Sequence, residues 1–503
     1  MSIDALIQTL VSHTLVLRPE LTVAVGLMLV LVLDVVLPRN SHKVTVWATI
    51  LVFLAALVLL PAQALFPMPV FADMIAVDEY AVFFKAIFLI AGIITAYATL
   101  HSAELERNNR RIGEFMMVLI GLVLGLMLMS GATNLLMMVV SMELVSLSSY
   151  VLVSYLKENR ASNEAGLKYV IYGAVSSGIM LYGISLFYGM TGTLSFTGIN
   201  DYFRSPESII DPVTLTLAAL MILAGLGFKI AAVPFHFWSP DAYEGAPTPV
   251  AAFLSVAPKA AGFALLLRFF KTAFFGYDTE DGYTAILTVD WVTILGSMAV
   301  LTMSLGNLTA LWQLNVKRLL AYSSIAHAGY ILMGVILLTD SGQAAMLFYL
   351  AYYMIMNLGV FYVAMLIGDS VGSYDMEDWK GFGYRNPVLG VSMVIFLASL
   401  VGIPGTVGFA GKFLLFVAVL QEGNLYFWLA IVAVVNSVIS AFYYFKIAKM
   451  MFLKAPLENN DQPVSIPLPA LVLTLALAVP TILLGLYWQP LYQWSLASIR
   501  MWM

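Results

Sequence analysis

The chain has 503 residues, 61% of them hydrophobic and 11% charged, with a mean hydropathy of +0.92. Soluble domains carry about 25% charged residues, so this composition excludes a soluble globular protein and indicates a polytopic membrane protein. A net charge of −5 presents no basic surface to nucleic acid, and the lack of cysteine excludes disulfides, thiolate metal sites and Cys-ligated iron–sulfur clusters in this chain.

A hydrocarbon core of about 30 Å needs about 20 apolar residues per helix. On that ruler the chain is read as an all-α membrane protein with about fourteen spans. They fall near 15–37, 43–65, 80–101, 112–130, 132–155, 164–190, 213–238, 249–275, 289–311, 318–338, 343–368, 387–420, 425–452 and 467–489. The N-terminus has no basic region followed by a small-residue cleavage site, so the first span is expected to be retained. Two spans contain breaks: Pro234 interrupts the seventh, and Gly402-Ile403-Pro404-Gly405 the twelfth. Proline removes a backbone donor and clashes with the preceding turn. Lipid cannot satisfy the freed backbone, so such a break belongs in a protein-enclosed or water-lined place.

Short loops rich in Lys and Arg face the cytoplasm. The loops after odd-numbered spans hold Arg39, Lys43, Arg107, Arg110, Arg111, Lys157, Arg160, Lys317, Arg318, Lys380, Arg385, Lys446, Lys449 and Lys454. Those after even-numbered spans hold Arg204, Lys271 and the acids Asp73, Asp78, Asp211 and Asp281. Both termini are therefore expected on the non-cytoplasmic side.

Spans four to eight and nine to thirteen read as two copies of one five-helix unit. Pro234 and Pro404 are 170 positions apart, and each break lies near a Gly-Phe pair and a lysine, Lys229 or Lys412. Five is odd, so the second copy must be inverted in the membrane, an arrangement typical of transporters. The expected divisions are a three-helix segment (1–111), a first repeat (112–275), a second inverted repeat (276–453) and a C-terminal helix (454–503).

Setting loop charges aside, the charged residues read as buried are Glu143 in the fifth span, Lys229 in the seventh, Lys259 in the eighth and Lys412 in the twelfth. His327 lies near the middle of the tenth. A lysine at mid-membrane depth costs about 2.5–3.5 kcal/mol on insertion scales, so its default reading is an ion or proton pathway. Blander readings stay open: a structural Glu143–Lys229 ion pair, a Lys259 that snorkels to the interface, and a His327 that is a satisfied core histidine. His236 is read as structural. The five histidines show no metal-ligand spacing, which argues against zinc and haem. Burial disfavours a protonated amine and a nearby carboxylate favours it. Approach of Glu143 would hold the proton on Lys229, and withdrawal would release it.

Several stretches carry a resemblance: SMELVSLSSYVLVSY (Ser141–Tyr155), GLGFKIAAVPFHFWSPDAYEGAPTP (Gly225–Pro249), VAPKAAGF (Val256–Phe263), KRLLAYSSIAHAGY (Lys317–Tyr330) and GIPGTVGFAGKF (Gly402–Phe413). The chain resembles the subunit N family, antiporter-like subunits of the proton-pumping NADH:quinone oxidoreductase, respiratory complex I. The resemblance implies a proton half-channel in each repeat. It places the family's acid on Glu143, its broken-helix lysine on Lys229, its connecting lysine on Lys259 and its terminal lysine on Lys412. It implies no cofactor here, with NADH, FMN, iron–sulfur clusters and quinone in other subunits. It also implies flanking subunits M and K, and an energy-transducing membrane, the bacterial inner membrane. The chain is expected to lack the long lateral helix of a subunit L. Two other functions remain in view: a subunit of a multisubunit cation/proton antiporter, and a passive membrane anchor, which leaves four charges and two broken helices unexplained.

Overall fold

Apolar runs set the helices, and capping residues set where they begin and end. The computed structural model describes residues 11–38, 42–107, 112–206, 208, 211–278, 282–285, 290–456 and 462–501. Among them thirteen helices are long and apolar enough to cross a bilayer, and two shorter apolar helices share one further path. In order these are α1 (Arg18–Val36), α2 (His42–Ala64), α3 (Glu79–Thr99), α4 (Ile112–Gly131), α5 (Leu135–Val153), α6 (Arg160–Thr191), α7a (Pro212–Ile230) with α7b (Trp238–Gly245), and α8 (Thr248–Phe274). The second half holds α9 (Trp291–Ala310), α10 (Val316–Leu337), α11 (Asp340–Val371), α12a (Pro387–Val401) with α12b (Val407–Gln421), α13 (Asn424–Leu453) and α14 (Leu468–Leu486). Every expected span is present. Of the loop charges, Arg39, Arg110, Arg111 and Asp281 lie outside the described residues.

Asp78, Asp211 and Asp290 cap α3, α7a and α9, each accepting a hydrogen bond from a backbone N–H in the first turn. All three sit at the end of the bundle whose loops are poor in Lys and Arg. Two small hairpins close that same end: β1 (Met68–Val70) with β2 (Ile75–Val77), and β3 (Phe275–Asp278) with β4 (Gly282–Ala285). By connectivity α4 starts at the basic-loop end and α9 at the opposite end, so the two five-helix units run in opposite senses.

The centre is made of α8, α10 and α11. The apolar stretch of α8 is 100% buried and those of α10 and α11 94%, against 28% for α1 and α14 at the periphery. Polar groups on the central three helices face protein and must find partners there.

At the first break Ala231 takes a left-handed conformation with φ 56°. The Phe228 carbonyl accepts from the Ala231 N–H at 3.1 Å and from Trp238 Nε1 at 3.0 Å, and the Val233 N–H donates to Thr302 Oγ1 at 2.9 Å. The second break turns on Gly402 and Gly405, with φ of 91° and 89°, a region that favours glycine. Neither break is wholly enclosed by this chain: Ala231, Ala232 and Val233 are buried, but Pro234 and Pro404 are exposed and Gly402, Ile403 and Gly405 are half-buried. At the basic-loop end the repeats are tied by charge. Arg318 of α10 donates to Asp241 at 2.5 Å and Glu244 at 2.8 Å, both on α7b, and Lys168 of α6 reaches Asp241 at 2.7 Å. Partial burial alone would raise the Asp241 carboxyl, but the two cations outweigh it and hold it below the usual carboxylate range.

Candidate functional site: a line of amines and hydroxyls

The five residues singled out from the sequence lie on five helices: His327 on α10, Lys259 and Lys412 on its neighbours α8 and α12b, and Glu143 and Lys229 on α5 and α7a. Lys229, in the last turn of α7a, is 1% exposed, and its Nζ donates to Ser146 Oγ of α5 at 2.9 Å. Its stem packs against α8 at Gly262, where an added Cβ would lie 3.3 Å from Lys229 Cγ. Gly262 is one turn from Lys259. Lys259, 2% exposed, donates to Ser324 Oγ of α10 at 2.6 Å and lies 5.8 Å from the centre of the Tyr243 ring.

From Ser324 the line follows one side of α10. One turn on, His327 has both ring nitrogens engaged: Nδ1 with the Tyr349 hydroxyl at 2.6 Å, Nε2 with the Tyr444 hydroxyl at 3.2 Å. The Tyr444 hydroxyl also bonds Ser323. One further turn brings Tyr330, whose ring face carries Lys412 Nζ at 4.8 Å from its centre, a cation–π contact. Lys412, in α12b, donates to the carbonyls of Leu400 and Val401 at 3.1 and 2.8 Å and to Ser437 Oγ at 2.8 Å. Those carbonyls end α12a and have lost their helical partners, so the amine on one half of the broken helix caps the other half. Close approach makes this possible: a Cβ on Gly408 would fall 1.8 Å from the Ser399 carbonyl oxygen.

The structure thus joins Lys259, His327 and Lys412 through α10 and sets Lys229 one turn from Lys259 along α8. It does not join Glu143 to Lys229. Glu143 is half-buried, and its Oε1 accepts from Ser177 Oγ of α6 at 2.5 Å. Among the described residues no carboxylate lies within 4 Å of Lys229, Lys259 or Lys412. Lys259 is buried in protein, with its Nζ on Ser324 of α10 and not at the surface. His236 is 3% exposed beside the first break, its ring tilted by 32° against Phe237 with centres 4.3 Å apart, and with no hydrogen-bond partner on Nδ1.

The list of buried charges drawn from the sequence was too short. Arg268 of α8 is 0% exposed and makes a bidentate bond to Asp78, at 2.7 and 2.8 Å. Lys85 of α3, also 0% exposed, meets Glu20 at 2.6 Å, with Gln63 bonded to both. Lys271 donates to Gln343 at 3.0 Å, and Lys317 to the Ala246 carbonyl at 2.7 Å. Each lies within about three turns of a span end, where an uncertain boundary lets a buried charge pass for a loop charge. Lys85 was legible even so, because Val82-Phe83-Phe84 and Ala86-Ile87-Phe88 enclose it. The hydroxyl partners Ser146, Ser177, Ser324, Tyr349 and Tyr444 carry no such signal, since their role depends on which helices pack together.

A family described as NADH:quinone oxidoreductase/Mrp antiporter, transmembrane, matches residues 132–440. A relative from Chloroherpeton thalassium, NADH-quinone oxidoreductase subunit N 2, is 48% identical over 439 residues, covering 87% of this chain and 85% of its own. Subunit N from Chlorobium chlorochromatii is 42% identical over 493 residues, covering 97% and 95%. Among solved structures, a chain of respiratory complex I from Thermus thermophilus aligns with a TM-score of 0.75 at 30% identity, covering 95% of this chain and 99% of that one. A chain of the Mrp complex from Dietzia sp. aligns at 0.81 with 22% identity, covering 96% and 97%, which is a likeness of fold.

Proposed function

Because this chain belongs to the NADH-quinone oxidoreductase subunit N family, we propose that it carries protons across the bilayer within complex I, coupled to quinone reduction in other subunits. The observation that carries this reading is the row formed along one side of α10 by Lys259 on Ser324, by His327 between Tyr349 and Tyr444, and by Lys412 over Tyr330, buried without an acidic partner. A structural role needs opposite charges brought together, as at Asp78–Arg268. Here amines face hydroxyls, which can pass a proton without a metal or cofactor in this chain, and backbone carbonyls, which only accept a hydrogen bond from the amine.

In this reading Glu143 is the switch. Bonded to Ser177, it leaves Lys229 free to give its proton toward Lys259. Drawn to Lys229, it would hold that proton in place. His327 bridges Lys259 and Lys412, and Lys412 discharges to the far side. The two repeats span 112–275 and 276–453, flanked by 1–111 and 454–503. NADH, FMN, iron–sulfur clusters and quinone belong to other subunits, and subunits M and K flank this one. The basic loops face the cytoplasm of a bacterial inner membrane, with both termini on the other side. A cation/proton antiporter subunit would share the fold. Against it stand the identities above 40% to subunit N relatives.

Proton translocation per quinone reduced, measured for the intact complex in proteoliposomes, tests the proposal with Lys259→Met. The variant should assemble and reduce quinone while the ratio falls. An unchanged ratio in an assembled complex would overturn it.

A further inference from the structure

Lys259 and Lys412 are both held without a carboxylate, and they are held unequally. A protonated lysine has three donors to place. Lys412 finds three acceptors: the Leu400 and Val401 carbonyls at 3.1 and 2.8 Å and Ser437 Oγ at 2.8 Å. Its Nζ also lies over the Tyr330 ring, 4.8 Å from the centre. Among the described residues Lys259 has one acceptor, Ser324 Oγ at 2.6 Å. Its ring neighbour, Tyr243, is 5.8 Å away, near the limit of about 6 Å for such a contact.

The ring beneath Lys412 is fixed in place. Tyr330 is 1% exposed. Its hydroxyl accepts from Asn307 Nδ2 at 3.0 Å, and Asn307 Oδ1 accepts from the Tyr443 hydroxyl at 2.9 Å. Asn307 also donates to Asn436 Oδ1 at 3.3 Å, and Asn436 to Ser304 Oγ at 3.1 Å. The proposed relay uses none of Asn307, Tyr443, Asn436 and Ser304, yet they tie α9, α10 and α13 together around the Tyr330 hydroxyl. The Tyr330 and His327 rings meet edge to face, with centres 5.8 Å apart and planes at 72°.

The face of an aromatic ring is its negative side and attracts a cation. A carboxylate in the same place would attract it more strongly, and would keep the proton as Glu143 is read to keep it on Lys229. A ring favours the protonated amine and still lets the proton leave.

We propose that the Tyr330 ring is the counter-group of Lys412, standing where a carboxylate would otherwise be needed to keep that lysine protonated between discharges. The inference rests on the proposed relay and gives its last lysine a positioning residue. A proton arriving at Lys412 enters an amine with three acceptors and an aromatic face. It leaves without having to break an ion pair.

Proton translocation by the intact complex in proteoliposomes tests it, with assembly and quinone reduction checked in each preparation. Tyr330→Phe keeps the aromatic face in the same packed slot and should keep protons per quinone near the unaltered value. Tyr330→Leu removes the face and should lower the ratio as far as Lys412→Met does. Fluorine draws electron density from a ring with little change of shape. Phenylalanines carrying one, two and three fluorines in place of Tyr330 should therefore lower the ratio stepwise, which a packing role does not predict. A flat ratio across that series in assembled complexes would overturn the inference, whatever Tyr330→Leu does. If Lys412→Met lowers the ratio while the fluorinated series stays flat, only the role of Tyr330 falls. If Lys412→Met leaves the ratio unchanged, the relay falls and this role with it.

Discussion

Glu143 and Lys229 each bond a serine and not each other, at 2.5 Å to Ser177 and 2.9 Å to Ser146. That arrangement is what a switch in its open position requires, and a permanent structural ion pair does not predict it. The carboxylate is half-buried, on a helix whose Val140 and Leu147 are exposed. Glu143→Gln should therefore reduce pumping while leaving assembly intact, because the neutral amide can no longer hold a proton on Lys229. Glu143→Asp keeps the charge on a shorter arm and should be milder. Pumping ratios of the two variants, measured side by side, check the order, and equal loss in both would contradict it. The four charged positions were legible because a charge in a long apolar run is costly enough to demand a purpose. Their serine and tyrosine partners were not, because a hydroxyl in such a run is cheap and common.

At the scale of the helix, two kinds of buried charge separate. Along the middle of α10, Lys259 and Lys412 meet hydroxyls, carbonyls and a tyrosine ring. At the opposite end of α3 and α8, acid meets base in pairs that hold helices together. Asp78 both caps α3 and binds Arg268 twice, joining the N-terminal segment to the centre. Removing one partner of a buried pair costs about 3–5 kcal/mol, since the other charge is left alone. Asp78→Asn should lower the thermal stability and yield of the assembled complex, without a specific loss of pumping in what survives. Adding Arg268→Met should recover part of the loss. A selective pumping defect with normal stability would move this pair from scaffold to relay. The broken helices themselves were legible from Pro234 and Pro404, but the sequence could not show that Lys412 caps the ends of α12a, which depends on how closely α12b folds back.

For the whole molecule, the spans and the opposite senses of the two repeats follow from apolar length and from counting helices. Side assignment follows from loop charge. A cysteine at Arg500, in a chain that has none of its own, should react with a membrane-impermeant thiol reagent from the non-cytoplasmic side. Reaction from the cytoplasmic side alone would reverse the topology and with it the direction of the relay. The core layer of α8, α10 and α11 was not legible, because every span in a membrane protein is apolar, whether it faces lipid or protein.

The central claim is that Lys229 carries a proton and does not merely supply a positive charge. Arginine keeps the charge and cannot give its proton up in a protein. The most direct measurement is proton translocation by the intact Lys229→Arg complex in proteoliposomes, with assembly and quinone reduction checked in the same preparation. The relay predicts a complex that assembles, with its protons per quinone reduced. Full pumping in an assembled Lys229→Arg complex would contradict it and return Lys229 to a structural role.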